Sequence, residues 1–121
     1  MTGRDGEAIV ASCHCGQVSI DLLCPPVEVT QCNCSLCRKT GFRGIYYRPE
    51  DVTVRGVVDP YVRADLAEAC LTTWHCGRCG CTTHWTGLGP YAAGRMGVNA
   101  RLLDIRLLDG LPVKQVDGAV W

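Results

Sequence analysis

The amino-acid sequence predicts a single, mainly β domain whose irregular loops are tied together at clustered cysteines. Three observations carry that expectation. Short stretches alternate apolar and polar residues with the period of a half-buried strand. Gly, Pro and Asp punctuate those stretches at close intervals. Seven of the ten cysteines fall into tight groups within only 121 residues. A chain of this length has room for one domain and can bury a core large enough to fold alone.

Residues 1–10 read as an N-terminal lead and residues 11–121 as the domain. Residues 17–22 set Val18, Ile20 and Leu22 against Gln17, Ser19 and Asp21, a strand that Pro25 and Pro26 end. Residues 27–31 alternate again and deliver the chain to Cys32. Residues 44–48 and 52–58 are β-branched or aromatic runs bounded by turn formers, so each is expected as a strand. Residues 61–70 have some helix propensity but no apolar stripe, which favours a loop or a single turn. Residues 70–85 have strand character on both sides of Cys76-Gly77-Arg78-Cys79-Gly80, as in a hairpin carrying cysteines at its tip. Residues 101–108 fit either a strand or a short helix, and residues 112–116 form an expected last strand.

Twelve basic residues balance twelve acidic ones, so charge gives no reason to expect nucleic acid or an anionic membrane as partner. No segment approaches the roughly 20 apolar residues of a membrane-spanning helix. Residues 1–7 lack the apolar core of an export signal, and the expectation is therefore a cytoplasmic protein. In a reducing compartment, close-spaced cysteines are read as metal ligands before disulfides. Nothing in the sequence sets the oligomeric state.

The groups are Cys13-x-Cys15, Cys32-x-Cys34-x-x-Cys37 and Cys76-x-x-Cys79, with Cys81 close by. A C-x-x-C turn puts two sulfurs on one side of a tight loop, the local geometry of a tetrahedral zinc site. Gly77 and Gly80 suit such a turn because glycine accepts positive φ. One reading is a single zinc ribbon of Cys34, Cys37, Cys76 and Cys79. It leaves Cys13, Cys15 and Cys32 without a role. Seven thiols divide more naturally into a closed four-ligand site and a three-ligand site with an open position, hence two zincs per chain.

Residues 12–18 (SCHCGQV), 32–41 (CNCSLCRKTG) and 75–80 (HCGRCG) together resemble the glutathione-dependent formaldehyde-activating enzyme (GFA) family, also called the CENP-V/GFA domain. The resemblance spans nearly the whole chain and implies an Mss4-like, β-rich zinc fold. It implies that Cys13, Cys15, Cys76 and Cys79 bind a structural zinc, and that Cys32, Cys34 and Cys37 bind a second, catalytic one. It further implies a carbon–sulfur lyase-type activity, with S-hydroxymethylglutathione made from formaldehyde and glutathione as the namesake reaction. The small-molecule partner would then be a thiol or thiol adduct.

A zinc held by three thiolates is a weaker Lewis acid than one held by neutral histidines, and it suits the binding of an incoming thiol. Arg38, Lys39 and Arg43 follow the middle motif and could meet substrate carboxylates or form a solvated loop. Asn33 could bond to sulfur or substrate, or simply shape the turn. His14, His75 and His84 are expected in structural roles, because cysteines already fill the metal shells. Cys24, Cys70 and Cys81 are expected as buried or spare thiols, although Cys81 could exchange into the structural site. Trp74, Trp85, Tyr46 and Tyr47 could line a pocket or pack in the core. Only about 38 residues separate Cys37 from Cys76, which leaves little room for an inserted glutathione site. The alternatives to an enzyme are a non-catalytic zinc-binding interaction module and a thiol-based redox or metal-handling protein.

Overall fold

A computed structural model describes residues 9–120. Ten strands and one short α-helix follow in the order β1 (Ile9–Ser12), β2 (Ser19–Leu22), β3 (Val29–Cys32), α1 (Ser35–Thr40), β4 (Gly44–Tyr47), β5 (Val52–Arg55), β6 (Val58–Val62), β7 (Leu71–Cys76), β8 (Thr82–Gly87), β9 (Met96–Asn99) and β10 (Val113–Val116). The mainly β expectation holds. Strands β1, β2 and β5 form a three-stranded antiparallel sheet, and the other seven form a sheet in the order β10-β3-β4-β9-β8-β7-β6. Within the larger sheet β10 lies parallel to β3.

The period-2 pattern of the strands sorts side chains between a core and a cavity. Val18, Ile20 and Leu22 from the small sheet join Val29, Ile45, Tyr47, Met96 and Val98 from the large one in a single buried cluster. Full burial of each such aliphatic side chain contributes about 1.5–3 kcal/mol. Their neighbours in the strands, Thr30, Cys32, Gly44 and Tyr46, line the cavity described below. The alternation of β3 and β4 thus couples core formation to placement of the chemistry.

Two features depart from the sequence reading, and at 101–108 the short-helix alternative is the one that forms. The run 52–58 is not one strand, because the chain crosses between sheets at Gly56, whose φ is +104°. A Cβ there would collide with the Gln17 carbonyl, so only glycine fits. Strand β9 had no strand signal, since all four of its residues are buried and Gly97 interrupts any alternation. Residues 101–108 resolve into 3-10 turns at Ala100–Leu102 and Ile105–Leu108, capped by the side chains of Asn99 and Asp104. The loop expected at 61–70 and the hairpin at 70–85 are both present, the loop beginning after Val62.

Candidate metal centres

The first centre is built from two turns brought together across the chain. Between β1 and β2, Cys13 accepts amide hydrogen bonds at its carbonyl from Gly16 (3.2 Å) and at its Sγ from Val18 (3.3 Å). Gly16 takes φ +84°, and the turn holds Cys13 and Cys15 side by side. At the end of β7, the amides of Arg78 (3.3 Å) and Cys79 (3.4 Å) donate to Cys76 Sγ, and Gly80 N–H closes onto the Cys76 carbonyl. Gly80 has φ +82° as expected, whereas Gly77 has no positive φ. A Cβ at Gly77 would lie 2.9 Å from the carboxylate of the exposed Asp59 side chain, which can swing aside.

These turns place the sulfurs of Cys13, Cys15, Cys76 and Cys79 within 4.8 Å of one another. Cys13 Sγ–Cys15 Sγ and Cys15 Sγ–Cys76 Sγ are both 3.7 Å. Zinc–sulfur bonds of about 2.3 Å at tetrahedral angles require sulfurs about 3.8 Å apart, so the observed spacing fits a zinc-sized ion. A disulfide, at about 2.05 Å, does not fit. The thiols also titrate against each other. Cys79 is brought down to about 5, first by the backbone amide of Cys81 and then by that of Cys15. At Cys15 the Gln17 amide favours the thiolate, but burial and the surrounding thiols outweigh it and push the group up to about 11. Such splitting is the signature of like charges sharing a small space, and a divalent cation would relieve it.

The second centre lies where β3 enters α1. Cys34 is the helix N-cap: its Sγ accepts the Cys37 amide at 3.4 Å, while Cys32 Sγ accepts the Cys34 amide at 3.4 Å. Capping by sulfur fixes Cys37 on the first turn, and Gly41 ends the helix in the left-handed conformation. The sulfurs of Cys32, Cys34 and Cys37 all fall within 4.8 Å of one another. Burial opposes charge on Cys34, yet the Cys37 and Leu36 amides and the adjoining thiols bring its pKa down. Burial and the Cys34 thiol push Cys37 up. Both clusters could therefore hold a metal ion, and their all-sulfur donor sets suit zinc.

Of the two clusters, the second lines a cleft from whose described lining the first is absent. The cleft, of about 630 Å³, is lined by Cys32, Cys34 and Cys37 together with residues of α1, β4, β7, β8 and the loops 63–70 and 88–95. Tyr46 and Trp85 meet edge-on at 5.9 Å in its wall, and the Arg95 guanidinium lies 4.1 Å from the Tyr46 ring centroid. Gly97 has no side chain because the Trp85 indole occupies that space. Arg63, nearly buried, pairs with Asp65 at 2.6 Å and bonds Ser35 Oγ at 3.2 Å.

The other expected site residues are dispersed. Asn33 is exposed and ties down the C-terminal segment, donating to Asp117 (3.0 Å) and accepting from the Ala119 amide (2.8 Å). Arg38 and Lys39 are exposed on the last turn of α1, outside the cleft lining. Arg43 lines a separate hollow of about 360 Å³ with Arg101 and Leu103, its buried Nε without a hydrogen-bond partner among the described residues. His14, His75 and His84 fall outside both sulfur clusters. His84 is buried, bonds Thr83 Oγ1 at 2.7 Å and stacks with Trp74. Burial holds it down to about 4.

Cys81 is likewise outside the four-sulfur group, while the Cys24 carbonyl accepts from Tyr47 Oη. Cys70 is exposed at the rim of the cleft. Of the four aromatics in question, Tyr46 and Trp85 line the cleft and Tyr47 belongs to the core. Sequence reasoning missed Arg63 and Arg95. Both sit in loops without periodicity, so only the fold reveals which side chains face the sulfurs.

No helix among the described residues is long and apolar enough to cross a membrane. None of the curated proteins matches the chain. The crystal structure of a protein from Rhodobacter sphaeroides is similar, with a TM-score of 0.66 and 29% identity over 88% of this chain and 100% of that one. Residues 8–109 match the glutathione-dependent formaldehyde-activating enzyme family, and with its two sulfur clusters set on this β framework the chain belongs to that family.

Proposed function

We propose that the protein is a zinc-dependent enzyme of carbon–sulfur bond formation and cleavage, acting on a small thiol adduct. One observation carries this reading: the three-sulfur cluster borders a cleft large enough for a ligand, whereas the four-sulfur cluster is absent from its described lining. Cys13, Cys15, Cys76 and Cys79 would hold one zinc as a closed structural centre. Cys32, Cys34 and Cys37 would hold a second with a position left for substrate. A zinc ion there supplies a site at which a thiol binds with loss of its proton.

The chain's own residues supply the remainder. The end of β3 and the capped turn of α1 present three sulfurs to the cleft, whose lining is mostly apolar and partly aromatic. Addition of a thiol to an aldehyde forms one carbon–sulfur bond from a sulfur lone pair. The carbonyl π pair moves to oxygen, which ends with the proton that the thiol gave up, so no oxidant or reductant is required. The lyase direction reverses each of these transfers. The family's name pairs glutathione with formaldehyde, and the chemistry itself requires only a thiol and an aldehyde. A cytoplasmic setting suits a protein whose cysteines are all free thiols among the described residues.

The test is exchange between free formaldehyde and its thiol adduct, followed by NMR with wild-type zinc-loaded protein and with Cys34→Ser. Acceleration by the wild type and none by the variant supports the reading. Equal exchange with both, or none with either, contradicts it and favours a non-catalytic zinc module.

A further inference from the structure

Resting on the open-site reading above, we infer that the thiol this cleft takes is an arylalkyl thiol bearing one carboxylate and no ammonium group, rather than glutathione. The inference comes from the walls. Phe42, Tyr46, Trp85 and Tyr91 contribute aromatic surface, and Leu36 and Leu66 aliphatic surface, around the sulfurs. A volume near 630 Å³ lies within the roughly 300–1,000 Å³ of pockets that enclose a whole small molecule. Burying apolar ligand surface against such walls is the main source of affinity they offer.

Charge sharpens the choice. Glutathione brings two carboxylates and an ammonium group. No Asp or Glu is among the described residues lining the cleft, so a bound ammonium would lose water without gaining a partner. Two cations line it, Arg63 and Arg95. Arg63 is already committed to Asp65 and Ser35. Arg95 has no ion pair among the described residues and rests on the Tyr46 ring, where it can receive one anionic group beside an aromatic surface. One free cation and an aromatic wall match a ligand with one carboxylate and one ring.

The experiment uses the full-length protein loaded with cobalt in place of zinc, so that an incoming sulfur adds to the charge-transfer absorption that the cysteine thiolates already give. The probes are 2-mercapto-3-phenylpropanoate, phenylmethanethiol, glutathione and 3-phenylpropanoate, which lacks the thiol. The expected result is that 2-mercapto-3-phenylpropanoate binds at least about tenfold more tightly than glutathione and perturbs the cobalt spectrum. Arg95→Ala should weaken it about three- to tenfold and leave phenylmethanethiol unchanged. Glutathione binding as tightly, with a cobalt signal, would overturn the inference and leave the open site standing. Absence of any thiol-dependent cobalt signal would overturn both. Equal binding of 3-phenylpropanoate and its thiol analogue would also overturn the inference, since sulfur would then contribute nothing.

Discussion

Cys15 and Cys76 are 61 positions apart in the chain, yet their sulfurs lie 3.7 Å from each other. Two turns with no sequence contact between them are thereby locked at one point, where the small sheet meets the end of β7. The contact joins β1–β2 to the β7–β8 hairpin, and it is the separation that a shared zinc requires. Without a cation, adjoining thiolates repel, and that repulsion opposes the core packing and the Gln17 hydrogen bonds to Val57 and Cys76 that otherwise hold the junction.

Removing a ligand from that junction should therefore cost the fold. Cys76 is buried and accepts two amide hydrogen bonds at its sulfur. Cys76→Ser is expected to abolish cooperative thermal unfolding or lower stability by more than about 3 kcal/mol, because structural zinc binding is also folding free energy. Circular dichroism and zinc content of the purified variant check this.

The second cluster should behave otherwise. Cys34→Ser is expected to lose one metal equivalent while the domain keeps its β-sheet spectrum, since only the short helix α1 depends on that sulfur as its cap. Serine is itself a favoured N-cap whose hydroxyl can accept the Cys37 amide, so the helix end should cost less than about 1 kcal/mol. Metal analysis together with urea unfolding reads both effects.

Gly97→Ala tests the cleft wall. The added methyl group would meet the Trp85 indole directly, and Trp85 is pinned edge-on to Tyr46. A loss of about 1–3 kcal/mol is expected from overpacking, with altered Trp fluorescence.

Stability should also fall on mild acidification through His84. Its folded pKa, about 4, lies below the ordinary value of 6.5 because burial disfavours the charged ring. Below pH 6.5 the unfolded chain takes up a proton that the native state refuses, so stability is fully present above 6.5 and falls until about pH 4. The loss amounts to at most about 3 kcal/mol. His84→Gln should flatten this part of the profile; urea unfolding at pH 7.5 and pH 5.5 of both proteins provides the comparison.

Much of this architecture is legible in the residues themselves. The alternation of Val18, Ile20 and Leu22 marks β2, and the Cys-Gly-Arg-Cys-Gly stretch marks a hairpin tip, because each is a local consequence of period or turn geometry. The close spacing within each cysteine motif is also local, whereas the joining of Cys13 and Cys15 to Cys76 and Cys79 is tertiary and is implied by the family resemblance. Strand β9 is not legible, since burial on both faces erases the alternation that identifies a half-exposed strand. Helix α1 escapes notice because six residues are too few to show a stripe and its cap is a cysteine. The cleft is a tertiary product: Arg63, Arg95 and Tyr91 reach it from loops that carry no periodic signal. Arg43, close to the middle motif in sequence, lines a different hollow because its backbone is held by Asn99 and Ala100.

The measurement that bears most directly on the two-centre account is X-ray absorption at the zinc edge, combined with metal content, for the wild type and Cys34→Ser. The account predicts two zincs per chain in the wild type, averaging fewer than four sulfurs each, and one zinc with four sulfurs in the variant. A single wild-type zinc with four sulfurs, unchanged in Cys34→Ser, would contradict it.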